Sequence, residues 1–151
     1  MKTIQKLIFT MAITTLLFAS CNSTKSTRIK LDNGEFVEFS KDKGYLSFKD
    51  WDSFNSVNQE MHTNKNADIQ SKTNRLEDLK VNIGNLQNTI PYWLKTEEVL
   101  EDIDDVQEEF KKLIKEKNEP TKNVEQNLEE FTEKFDDLRE ELNETINNQK
   151  L

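Results

Sequence analysis

The sequence predicts an all-α fold: an antiparallel three-helix bundle, or a long helical hairpin with a third helix packed on it, preceded by a short β-hairpin-like arm. Three observations predict it. The 151 residues are 34% hydrophobic and 33% charged, a composition suited to long, well-solvated helices. From Trp51 onward, apolar residues recur at intervals of three and four, the period of a helix face. Pro91 and Pro120 divide that stretch into three segments with short connections, which places successive helices antiparallel. The same counts exclude several chemistries. One Cys cannot form an internal disulfide framework, and one Cys with one His cannot build a Cys/His zinc cluster. Three Gly are too few for a Gly-rich phosphate loop or a many-turned sandwich.

Residues 1–20 read as a secretory signal outside the folded domain. Lys2 and Lys6 make its positive end, and Leu7 to Ala19 form an uncharged run of thirteen residues. That run is shorter than the roughly 20 residues needed to span a bilayer. It leads into Leu17-Phe18-Ala19-Ser20-Cys21. Small residues at the two positions before a cysteine, directly after an apolar run, resemble the lipobox of bacterial lipoproteins. The resemblance implies that the Cys21 sulfur is lipidated, that the chain is cut before it, and that the new amino end is acylated. Cys21 would then be the first mature residue and the membrane anchor. Asn22 stands where, by resemblance to the sorting pattern of two-membrane bacteria, Asp would favour the inner membrane. No acidic residue precedes Asp32, as the acidic run of surface-displayed lipoproteins would require. The implied location is the outer membrane facing the periplasm, ahead of the cell surface and the inner membrane. Residues 21–27 read as a flexible tether.

Residues 28–48 carry strand-like segments around Asn33-Gly34, a turn-forming pair. A two-residue turn there pairs Leu31 with Phe36 but Ile29 with Glu38, an unsatisfactory register. Gly44 followed by Tyr45-Leu46-Ser47-Phe48 offers a third short piece. A lone hairpin is marginal in water, so these aromatics are expected to lean on the helices. The other reading is an irregular arm that orders only against a partner.

The helical domain is expected over 49–151. The first helix, about 50–89, carries a stripe from Trp51 and Phe54 to Leu76, Leu79, Ile83, Leu86 and Ile90, the last part at heptad spacing. Its middle, His62 to Asn66, holds no apolar residue and is either a soft stretch or a break. Pro91 disfavours helix at Ile90. The second helix, about 92–117, has Thr96 as N-cap and the seam Val99, Ile103, Val106, Phe110 and Leu113. The third, about 120–148, has Pro120 suited to a first turn and a seam running from Val124 through Phe131, Phe135 and Leu138 to Leu142.

Charge is unevenly spread. Lys2 and Lys6 are the only charges before Cys21, so the net charge of −8 becomes −10 without residues 1–20. Residues 21–91 balance ten acids with ten bases, while residues 92–151 hold nineteen acids and nine bases. That distribution argues against nucleic acid or anionic lipid as a partner, since both need basic patches.

No candidate for catalysis stands out. His62 is the only imidazole, lacks an HExxH setting, and reads as a surface residue. No GxSxG or SxxK motif is present. Asp102, Asp104, Asp105, Glu108 and Glu109 form an acidic cluster without the glycine or ligand spacing of a calcium loop, and read as a solvated face. No metal and no cofactor are expected. Tyr92 and Trp93, beside Pro91, cap the core at a bundle end or form an aromatic anchor for a partner. The expected function is a lipid-anchored, non-enzymatic helical scaffold or protein-interaction module of the cell envelope. Its partners would be the membrane, through Cys21, and an envelope protein or a second copy of itself. The alternative is a small-ligand carrier or enzyme accessory subunit with a pocket between the helices. Helical outer-membrane lipoproteins of the Braun type are a partial likeness, joining a lipobox cysteine to a heptad helix. That family ends in a wall-linked Lys, whereas here Leu151 follows Lys150.

Overall fold

A computed structural model describes residues 26–42 and 45–149. The chain runs β1 (Ser26–Lys30), β2 (Phe36–Asp42), β3 (Tyr45–Phe48), α1 (Asp52–Thr63), α2 (Ile69–Asp78), α3 (Lys80–Gly84) and α4 (Leu86–Thr89). A 3-10 turn at Tyr92–Leu94 then leads to α5 (Glu97–Glu116) and α6 (Thr121–Asn148). The fold is therefore mixed α/β, and the all-α expectation is corrected. What reads as an accessory arm is a three-stranded antiparallel sheet, ordered β1-β2-β3.

The sheet belongs to the core because its inward positions are apolar at period two. Phe39, Leu46 and Phe48 are buried together with Trp51, Phe54 and the helical seams in one cluster. The other face is polar, and there Arg28 pairs with Glu38 at 3.9 Å and lies 4.4 Å over the Phe36 ring. β1 begins at Ser26, so the last two residues of the expected tether are strand.

The turn also differs from expectation. Lys30 pairs with Phe36 and Ile29 with Val37, which leaves five residues, 31–35, in the connection. This register sets Ile29 against another half-buried aliphatic rather than Glu38, and it sends Leu31 into the core. Gly34 supplies a positive φ, +88°, within this turn.

The expected helix over 50–89 is four short helices. α1 ends at Thr63 with Asn64 as its C-cap, and Asp68 caps α2 by accepting from the Ser71 N–H at 2.9 Å. Further bends fall at Leu79 and Asn85, whose backbones leave helical geometry. The apolar stripe is nonetheless buried at Leu76, Ile83, Leu86 and Ile90. The heptad spacing thus marks the buried face, although the segment that carries it is broken into short helices. α5 and α6 follow the expected seams. Thr96 caps α5 through the Val99 N–H at 3.1 Å, and Pro120 sits just outside α6. Ion pairs of Lys134 with Asp105, at 2.9 Å, and of Lys112 with Glu130 fix the two helices as antiparallel.

Aromatic rings tie the layers together. Phe48 meets Phe54 at 5.4 Å, Phe54 stacks on Phe135 at 5.6 Å, Phe135 on Phe131 at 6.3 Å, and Phe131 meets Phe110 at 6.1 Å. The series runs from the sheet through α1 into both long helices. Contacts of this kind add about 0.5–1.5 kcal/mol each beyond the burial of their surface.

Candidate binding furrow

α1 lies along β3 and covers its outer edge with two amides. Asn55 Oδ1 accepts from the Phe48 N–H at 2.9 Å, and its Nδ2 donates to the Phe48 carbonyl at 2.5 Å. Asn58, one turn on and buried, donates through Nδ2 to the Leu46 carbonyl. Strand-edge groups that would otherwise be unpaired are thereby satisfied.

Asn58 also organises the opposite side of α1. Its Oδ1 accepts from Arg139 Nε on α6 at 2.6 Å. Arg139 Nη1 donates to Asp136, and the guanidinium carbon sits 4.8 Å over the Phe135 ring. The Arg139 side chain is only 18% exposed. Three contacts fix its plane, while Nη2 makes no hydrogen bond among the described residues.

This guanidinium lines a cleft of about 340 Å³ between α1, α2 and α6, floored by Met61, Leu76 and Leu128. Lys65 and Lys72 form its other cationic positions, and Lys72 Nζ donates to the Lys65 carbonyl at 2.6 Å. Neither lysine makes an ion pair among the described residues. Glu60 on the same wall is engaged by Asn64 at 2.7 Å and Arg75 at 3.8 Å. Beyond Lys72 the cleft continues into a shallower depression of about 580 Å³ over Ile69 and Leu128, walled by Glu125, Glu129, Glu133 and Asp137. The two share Lys72, Leu128, Thr132 and Asp136 and so form one furrow.

The residues singled out in the sequence lie elsewhere. Cys21 falls outside the described residues. Tyr92 and Trp93 separate: Trp93 is buried against Phe48 and Phe39, at 5.9 and 6.5 Å, whereas Tyr92 is exposed. The Tyr92 hydroxyl bonds Glu35 and accepts from Asn33 Nδ2 at 2.8 Å, latching the β1–β2 turn to the segment after Pro91. Its bond to Glu35, with the carboxylate charge, holds the Tyr92 pKa above the ordinary phenol value. His62 is exposed at the end of α1, edge-on to Tyr45 at 5.5 Å.

The acidic cluster is spread along α5. Burial raises the Asp102 pKa, and the charges of Glu141, Asp137 and Asp105 raise it further against the opposing Lys134. No group of three His, Cys, Asp or Glu side chains among the described residues is arranged to hold a metal. Arg139 and Asn58 were missed in the sequence, yet each left a signal. Arg139 is the one arginine within residues 92–151, and Asn58 occupies a seam position between Phe54 and Met61. Comparison of the chain with known protein families, curated proteins and solved structures finds no match.

Proposed function

We propose that the chain is a lipid-anchored protein of the cell envelope. Acyl groups on Cys21 hold it at the periplasmic face of the outer membrane, where it acts without catalysis as a scaffold or interaction module for another envelope component. The observation that carries this reading is the lipobox-type sequence ending at Cys21, five residues ahead of the first strand at Ser26. An extended chain advances at most ~3.6 Å per residue, so the sheet is held within about 18 Å of the anchor. Each buried CH₂ of an acyl chain contributes about 0.8 kcal/mol, and several chains make attachment near permanent. Among the described residues no helix is long and apolar enough to cross a membrane. The cleft between the helices favours the second reading, a small-ligand carrier, which an apolar ligand raising the melting temperature would support.

The test is Cys21→Ala in a bacterial host. The native chain is expected to incorporate a labelled fatty acid and to sediment with outer membranes, while the variant takes up no label and leaves the membrane fraction. Equal sedimentation of the two with no label in either sinks the anchor. Crosslinking in intact envelopes should then recover one dominant partner. Recovery of self-contacts alone makes a homo-oligomer the better account.

A further inference from the structure

Asn33 is the one asparagine in the chain that is followed by glycine. The pair is chemically labile, because glycine has no side chain to keep its backbone nitrogen away from the asparagine amide carbon. Attack of the Gly34 nitrogen on Asn33 Cγ closes a five-membered imide. The Cγ–Nδ2 bond breaks, and the proton displaced from the Gly34 nitrogen leaves with Nδ2 as ammonia. Water then opens the ring to aspartate or isoaspartate at position 33. The sequence of steps consumes only water.

The β1–β2 turn admits this reaction and at the same time restrains it. Asn33 and Gly34 are exposed, and open space lies where a Gly34 Cβ would stand, so water reaches the imide. The Glu35 N–H donates to Asn33 Oδ1 at 3.0 Å, which withdraws electrons from Cγ and favours attack. Three contacts oppose it. The nucleophile is tied up, since the Gly34 N–H donates to the Leu31 carbonyl at 2.8 Å. Nδ2 must gain a proton to leave, yet it donates to the Tyr92 hydroxyl at 2.8 Å and to Glu35 Oε2 at 3.3 Å, so acceptors face it on both sides. Tyr92 gives its own proton to Glu35, so it turns its oxygen and not its hydrogen toward the amide. We infer that Asn33 is a site of spontaneous deamidation held closed by Tyr92, and that its conversion releases the turn. A carboxylate at position 33 has no hydrogen for Tyr92 and lies against the like charge of Glu35. Isoaspartate also lengthens the backbone by one methylene just before Gly34. The turn then parts from the segment after Pro91, and in one direction only. None of this depends on a lipid at Cys21.

The test incubates the full chain and its Tyr92→Phe variant, each both folded at neutral pH and unfolded in urea. Trypsin releases residues 31–41, in which Asn33 is the only asparagine, so mass spectrometry reads the amide-to-acid conversion at that position. In urea the two chains should convert at one rate, faster than either does when folded, because the latch exists only in the fold. Folded Tyr92→Phe should convert about fivefold faster than the folded parent, as expected for the loss of one hydrogen bond. Tyr92 is exposed and the variant keeps its ring, so the core is left as it was. Asn33→Asp, which stands for the product, should unfold at a lower urea concentration than the parent, and Glu35→Gln added to it should recover part of the loss. Equal folded rates in parent and Tyr92→Phe, whether measurable or nil, overturn the proposal. So does a folded parent that converts as fast as the unfolded chain, or an Asn33→Asp variant as stable as the parent.

Discussion

At the scale of residues, two polar side chains on the inner surface of the helices behave in opposite ways. Asn58 is buried and bonded at both its nitrogen and its oxygen, joining β3 to α6 through Leu46 and Arg139, so its amide makes contacts that a leucine there could not. Asp102 sits among like charges. Its folded-state pKa is raised by burial and by Glu141, Asp137 and Asp105, so the native protein binds that proton more tightly than the unfolded chain does. The unfolded state therefore holds fewer protons across that window, and this group's contribution to stability falls as pH rises through it. Asp102→Asn is expected to raise the midpoint of urea unfolding at pH 7 and to leave it nearly unchanged at pH 3. A variant no more stable than the parent at pH 7 would show that solvent already screens those charges.

At the scale of elements, α5 is the best test of local rules. Thr96 caps it, Glu97 and Glu98 occupy the first turn where the helix dipole favours acids, and Lys115 lies in the last. Thr96→Ala should cost about 1 kcal/mol, read from urea unfolding, with Thr96→Ser restoring most of it. A loss below a few tenths would mean that packing alone holds this terminus. Helices α5 and α6 were legible from their seams because their partners are each other, neighbours across a short connection. The sheet was half legible. Asn33-Gly34 marked the turn, but the register follows from Leu31 and Val37 choosing the core, and that choice depends on helices not yet placed. The bend at Leu79 left no Gly or Pro signature, whereas Gly84, the last residue of α3, stands beside the bend at Asn85. The furrow was the least legible feature. Asn58 and Arg139 stand 81 positions apart, and no periodicity joins them.

At the scale of the whole molecule, the aromatic series makes sheet and helices one cooperative body. Trp51 and Trp93 both touch Phe48, so tryptophan fluorescence reports the sheet, while far-ultraviolet circular dichroism reports the helices. The two probes should give coincident unfolding transitions. Phe54→Ala, which cuts the series at its centre, should lower stability by about 3–5 kcal/mol in both at once. Separate transitions in the parent protein would mean that the sheet folds as an appendage after all. The first strand bears differently on the molecule. No side chain of β1 is fully buried, and the first deeply seated residue after it is Leu31. A pull on the amino end, such as drag on a body moored to a moving surface, strips β1 from β2 one rung at a time. It stops at Leu31 with the aromatic series intact. Five residues at about 3.3 Å each would pay out roughly 16 Å of line before the core feels the load. In the lipid-anchored reading proposed above, β1 would take that load before the core does.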